Sequence, residues 1–238
     1  MQVSTRAIVL SAVKYAEADL IVSCYTEDHG LKSYLLRGVR KSRKGKLRTS
    51  YFQPLTQLEL NAFHRDKGSL ERLREVKLAY PYQSLHTDLK KSAIAMFLSE
   101  VLKSVIREEE ANPVKYAYLA NSFLWLDSHD RVANFHLLFL LRLTSFLGFY
   151  PDTSSRGSWF NLQEGYFTQD PEGEYCQNTH ATGLLRSFCG MNFDEIASVK
   201  INQKERSEVL QLLVRYYRLH IHGFKEPKSL LVLNQLFH

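Results

Sequence analysis

The hydrophobic period changes once along this chain, at Tyr80-Pro81-Tyr82, and that change limits the fold more than any other feature. Before it, apolar and β-branched residues come in short runs. Ala7-Ile8-Val9-Leu10 and Leu20-Ile21-Val22-Ser23-Cys24-Tyr25 are two of them, and Asp28-His29-Gly30 turns the chain into a third, Leu31 to Leu36. Phe52 to Phe63 supplies a fourth, and Leu70, Leu73 and Val76 mark a fifth. Runs of this length bounded by turn residues read as strands. Five of them in about 80 residues suggest a small closed barrel, of which the OB-fold is the common five-stranded form.

After the change the spacing is three and four, the repeat of a helix. Leu89, Ala93, Met96, Phe97, Glu100, Val101 and Ser104 form one such series. Asn112-Pro113 is a helix-start signal, a cap followed by a residue that fits the first turn. Tyr116, Leu119, Phe123 and Leu126 continue that helix. Residues 134–149 are apolar nearly all round, the mark of a buried helix, and Gly148 and Pro151 end it. Asn202-Gln203-Lys204-Glu205 resembles a capping box and opens a helix to about His222. A short helix covers about 228–237. Residues 153–180, rich in Gly, Ser, Thr and Asn, are a long irregular insertion or a small β-turn element. The expected architecture is therefore α+β: a five-stranded OB-fold barrel over 1–80, then an all-helical domain over 81–238 interrupted at about 153–180.

Charge divides at the same place. Residues 1–80 carry 15 Lys and Arg against 8 Asp and Glu, a net of +7; residues 81–238 carry 16 against 17, a net of −1. A localised excess of this kind suits a polyanion. Most of it is concentrated between Arg37 and Arg48, where Arg37, Arg40, Lys41, Arg43, Lys44, Lys46 and Arg48 are basic and no residue is acidic. Like charges this dense repel one another unless an anion neutralises them, so these seven are the expected nucleic-acid-binding residues. Gly38 and Gly45 allow close approach of backbone to a phosphate chain. Tyr25, Tyr34, Tyr51 and Phe52 flank the cluster, either as stacking platforms for bases or as barrel core.

Other chemistry is poorly supplied. Gly45-Lys46 is followed by Leu47, and Gly38 stands seven positions from Gly45, so the spacing of an ATPase phosphate loop fails twice. There is no Gly-x-Ser-x-Gly and no His-Glu-x-x-His. His220 and His222, two apart on a helix, point to different faces and read as surface or cap residues. Cys176, His180 and Cys189 would give three metal ligands where a structural zinc site wants four. We expect no enzyme activity, no cofactor and no bound metal. Three scattered cysteines, Cys24 among them, argue against a disulfide framework and for a reducing cytoplasm. No apolar run reaches the ~18 residues of a membrane span, and Met1 to Arg6 lacks the pattern of a signal peptide.

Several ordered segments resemble a known family. They are Thr5-Arg6-Ala7-Ile8-Val9-Leu10, Tyr15-Ala16-Glu17-Ala18-Asp19-Leu20-Ile21-Val22, Tyr25 to Leu31, Arg37-Gly38-Val39-Arg40-Lys41 and Gln53-Pro54-Leu55. Arg142-Leu143, Leu147 to Asp152 and Lys228-Ser229-Leu230 extend the likeness to the end. Together they resemble the RecO family of bacterial DNA repair proteins, the recombination mediators. The resemblance implies an N-terminal OB-fold, a helical C-terminal domain, and binding of single- and double-stranded DNA. It also implies strand annealing and, with RecR, help in loading RecA onto strands coated by single-stranded-DNA-binding protein, SSB. It implies a nucleoid-associated cytoplasmic location. The alternative is an OB-fold RNA-binding or nucleic-acid-processing factor. Many members carry a four-cysteine zinc site after Gly-x-x-Pro-Asp; here Thr153-Ser154-Ser155-Arg156 follows, so the zinc is not carried over. The acidic, apolar-ended tail of SSB would want an apolar pocket with a cationic rim, and Phe139, Arg142, Leu143 and Phe146 are the expected docking residues.

Overall fold

The computed structural model describes residues 1–41, 47–65, 70–107 and 110–236. The chain packs as two compact units. One comprises Met1–Ser128 with Pro227–Ser229; the other runs from His129 to Glu226 and takes in the segment from Leu230. The change of period at 80–82 falls inside the first unit.

The first unit is built on β1 (Gln2–Tyr15), β2 (Asp19–Thr26), β3 (Gly30–Leu36), β4 (Gln57–Phe63) and β5 (Arg72–Leu78). All pairs are antiparallel, in the order β3-β2-β1-β4-β5. β1 is long because it serves two partners. Val3, Thr5 and Ala7 alternate inward, and then Ile8, Val9 and Leu10 are all buried where the pairing with β2 shifts register. An extra residue at that point bends the strand and lets one ribbon lie in both halves of a coiled sheet. The edges meet at one parallel bridge, Tyr34 to Glu71: Leu35 N–H donates to Glu71 O at 3.1 Å and Glu71 N–H to Ser33 O at 2.8 Å. The sheet is thus OB-fold-like, touching edge to edge without a closing ladder. Its interior is filled by Val9, Val22, Cys24, Tyr34, Leu58 and Leu60 among others, all at most 1% exposed, each side chain contributing about 1.5–3 kcal/mol by leaving water. Burial pushes the Cys24 thiol up to about 12. The fourth strand starts later than its sequence suggests. Phe52 ends a 3-10 turn, Thr49–Phe52, and Leu55 takes a left-handed backbone at φ 63° before β4 begins.

Two helices complete this unit, α1 (Leu89–Val105) and α2 (Pro113–Ser128). Asp88 caps α1 by accepting from Lys91 N–H at 2.9 Å, and Asn112 Oδ1 accepts from Lys115 N–H at 2.9 Å at the start of α2. Asp127, near the end of α2, accepts from the backbone N–H of Gln83, Ser84 and Leu85 at 2.9, 2.8 and 2.8 Å. Its own carbonyl accepts from Ser84 Oγ at 2.6 Å and from buried Lys91 Nζ at 2.7 Å. Gln57 Nε2 donates to Ala120 O and to Tyr82 Oη, both at 2.9 Å, joining β4 to α2.

The second unit centres on α3 (Phe135–Leu147), which ends at Gly148 with φ 86°. Around it lie α4 (His180–Phe188), α5 (Phe193–Ser198), α6 (Gln203–His220) and α7 (Leu230–Leu236). The capping box at Asn202 forms as its spacing predicts. The stretch 153–180 holds a small antiparallel sheet, β6 (Trp159–Asn161), β7 (Tyr166–Thr168) and β8 (Cys176–Gln177), in the order β7-β6-β8. Of the two sequence readings of this stretch, an irregular insertion or a small β-turn element, the structure has the second, set within an otherwise helical unit. Arg186 on α4 secures the turn before the sheet. Its guanidinium donates to the carbonyls of Gly157 and Ser155, reaches Thr153 O at 3.4 Å, and lies 4.8 Å over the Phe167 ring. His220, in the last turn of α6, is half-buried: it stacks on Phe149 at 4.7 Å and 8°, and Nε2 donates to Leu162 O at 2.9 Å. Among the described residues, no helix is long and apolar enough to cross a membrane.

Candidate nucleic-acid interface

The basic segment leaves the end of β3 and folds back over the β1–β2 turn. Gly38 takes φ 68°, a left-handed backbone that favours glycine, and its N–H donates to Asp19 Oδ1 at 2.8 Å. Arg40 N–H donates to Ala18 O at 3.0 Å, and its guanidinium donates to Glu17 O at 2.7 Å. Lys41 Nζ stands 3.1 Å from Glu17 Oε2, with both side chains mostly in water, so this ion pair contributes little stability. Val39, 3% exposed, plugs into the sheet core between the outward-facing Arg37 and Arg40. Backbone bonds and one buried valine, not ion pairs, therefore fix the start of the segment.

Its far end is anchored in the same manner. Leu47 and Tyr51 pack against the sheet core, Phe52 is buried, and Tyr51 N–H donates to Arg48 O at 3.1 Å, leaving Arg48 exposed. Of the seven expected DNA-binding residues, Arg37, Arg40, Lys41 and Arg48 are exposed around these two anchors. Arg43, Lys44 and Lys46 lie outside the described residues. Among the described residues no carboxylate forms an ion pair with Arg37 or Arg40.

The flanking aromatics resolve toward the core. Tyr25 and Tyr34 are 0% exposed and Phe52 3%, so none of the three offers a face to a base. Burial raises the Tyr34 hydroxyl well above the ordinary tyrosine range. The exposed aromatic of this neighbourhood is Tyr15 at the end of β1. Composition did not single it out, because the apolar run that signals β1 stops at Leu10.

The expected peptide-docking set is divided by burial. Phe139 and Leu143 are 0% exposed and belong to the core of the second unit, so they cannot line an open pocket. A helix apolar on every side buries most of its residues, and α3 does so. Arg142 is half-exposed with its guanidinium 5.9 Å over the Phe193 ring, and Phe146 is half-exposed. The three possible metal ligands each contact a different group. Cys176 Sγ donates to Glu172 O at 3.0 Å, Cys189 Sγ to Leu185 O at 3.5 Å, and His180 Nε2 meets Glu205 Oε1 at 2.9 Å. Among the described residues no three His, Cys, Asp or Glu side chains gather to hold a metal.

A five-stranded OB-fold-like sheet carrying exposed cations at its surface, followed in the chain by a helical unit with a small sheet, defines an α+β protein. The comparisons make this specific. Residues 1–82 match the family described as Recombination protein O N terminal, and residues 86–230 the one described as Recombination protein O C terminal. The two matches meet at the change of hydrophobic period. The chain is 51% identical to the DNA repair protein RecO of Christiangramia forsetii over 238 residues, covering 100% of each chain. It is 45% identical to that of Flavobacterium psychrophilum over 239 residues and 44% to that of Flavobacterium johnsoniae over 238, again across 100% of both chains. This chain belongs to the RecO family, whose role is DNA repair and recombination.

Proposed function

We propose that this protein is a recombination mediator that binds single- and double-stranded DNA, anneals complementary strands, and with RecR helps load RecA onto SSB-coated DNA in the cytoplasm. It acts by binding and not by bond cleavage. The observation that carries this reading is the cationic segment anchored at both ends. Arg37 and Arg40 stand exposed on a backbone tied to Asp19 and Ala18, and Arg48 on one tied to the core through Leu47 and Phe52. Preordered cations lose little freedom when phosphates bind, which favours affinity. In the second unit, Arg142 and Phe146 are the half-exposed residues suited to the acidic, apolar-ended tail of SSB.

Titration of a fluorescent single strand at several salt concentrations tests the reading. Four phosphate contacts predict a slope of log K against log salt near −3, at ~0.7 per contact. Replacing Arg37, Arg40, Lys41 and Arg48 by Ala should flatten it and slow annealing of complementary strands. An unchanged slope would remove the segment from the DNA interface, and strand cleavage would mark a nucleic-acid-processing enzyme. Co-purification with RecR and with SSB, the latter lost when its last residue is removed, tests the partners.

A further inference from the structure

We propose that Tyr15, with Val13 beside it, is the surface on which the bases of a single strand lie while Arg37 and Arg40 hold its phosphates. The inference rests on the reading above and names what the cationic segment alone cannot: the feature that selects an unpaired strand over a duplex. Tyr15 is 52% exposed and Val13 51%, both on the last turnward residues of β1. Register places Tyr15 opposite Asp19, and Val13 opposite Ile21, which in turn pairs with Leu35 of β3. Directly paired residues share a face, and so do residues two apart along a strand. Val13, Ile21 and Leu35 therefore form an apolar row across the outer side of β1, β2 and β3, with Tyr15 beside Val13 along β1 on one side and Ser11, Ser23 and Ser33 as the row on the other.

One end of this row lies where the cations are. Asp19, opposite Tyr15, accepts from Gly38 N–H, and the Ala18 and Glu17 carbonyls accept from Arg40. The basic segment is thus tied to the same turn that ends in Tyr15. Lys14, next in sequence, is exposed as well. Ala16 holds a left-handed backbone, φ 52°, immediately after Tyr15, a conformation that costs a non-glycine residue about 1 kcal/mol. Aromatic and aliphatic surface beside anchored cations is complementary to a single strand, whose bases are open to stacking while its phosphates are charged. A duplex has its bases stacked internally and would meet the cations alone.

The test is binding of the full chain to a thymidine 15-mer, to a duplex of equal length, and to a strand of abasic linkers. Tyr15→Ala should weaken the 15-mer about 10-fold, from the 1–3 kcal/mol that stacking on an aromatic contributes. The salt slope should stay unchanged, because no charge is removed. Tyr15→Phe should restore binding, and the duplex and abasic strand should be indifferent to either variant. Wild-type affinity of Tyr15→Ala for the 15-mer overturns the inference, as does an equal loss on the duplex or the abasic strand. If in the same experiment Arg37→Ala and Arg40→Ala still lower the salt slope, the cationic reading stands and only the stacking surface falls.

Discussion

Removing the Asp127 carboxylate should loosen the first unit by about 3–5 kcal/mol. The magnitude follows from what it holds. Three consecutive backbone N–H groups, of Gln83, Ser84 and Leu85, donate to its two oxygens at 2.8–2.9 Å, and Asp127 itself is 4% exposed. Leu85 is 0% exposed, so its N–H would lose its partner without gaining water, at about 1–3 kcal/mol. Gln83 is exposed and Ser84 half-exposed, so their donors can rehydrate, at about 1 kcal/mol each. Asp127→Ala should therefore cost most, and Asp127→Asn, which keeps one accepting oxygen, about half as much. The carboxyl is held below its usual range by these backbone donors, which outweigh the opposing effect of burial. A depressed carboxyl stabilises the fold above its unfolded pKa, about 3.9, and loses that contribution as pH falls through the lower folded value. Urea unfolding followed by Trp125 fluorescence in a Trp159→Phe background reports on this unit, because Trp125 lies in α2 and Trp159 in β6. The gap between wild type and Asp127→Asn should be widest at pH 7 and shrink below pH 4. A gap that is absent at pH 7, or the same at pH 3, would refute the account.

Two further outcomes concern the second unit. His136 is 1% exposed, and burial, then the Arg206 charge, pushes its imidazole down to about 3. Since unfolded histidine titrates near 6.5, its contribution is complete above that pH and falls away toward pH 3, by up to ~1.4 kcal/mol per pH unit. His136→Gln should flatten the pH dependence of unfolding between 6 and 4, read from Trp159 fluorescence in a Trp125→Phe background; an unaltered profile would show that this ring does not govern it. Gly157→Ala should cost about 3 kcal/mol or more. The new Cβ would stand 1.8 Å from the Thr168 carbonyl carbon, with backbone and not a flexible side chain in its way. Wild-type protection of residues 157–168 in hydrogen exchange would contradict that clash.

Much of the first unit was legible because its signals are local. The apolar runs of β2 and β3, the Asp28-His29-Gly30 turn and the Asn112-Pro113 start each act within a few residues, and each forms as read. What local composition cannot give is facing. Tyr25 and Tyr34 are near the basic segment in sequence and yet point into packing, while Tyr15, beyond the end of an apolar run, points out. The same blindness split the expected peptide-docking residues: on a helix apolar all round, nothing in the pattern separates Leu143 from Phe146. The short strands of the second unit were legible only as an irregular insertion or a small β-turn element, for another reason. β6, β7 and β8 have two or three residues each, and α5 has six. Segments so short have no period to read, and the contact that fixes the turn at 155–157 comes from Arg186, some thirty residues away.

That arginine acts as a clamp on the small sheet. One side chain, carried on a helix with its own capping box at Thr179, gathers three backbone carbonyls and covers Phe167. A guanidinium presents its donors in a rigid planar fork, and its grip consumes no thiol. The turn before the sheet is thus tied directly to α4. Loosening α4 would therefore release the turn at 155–157 along with it.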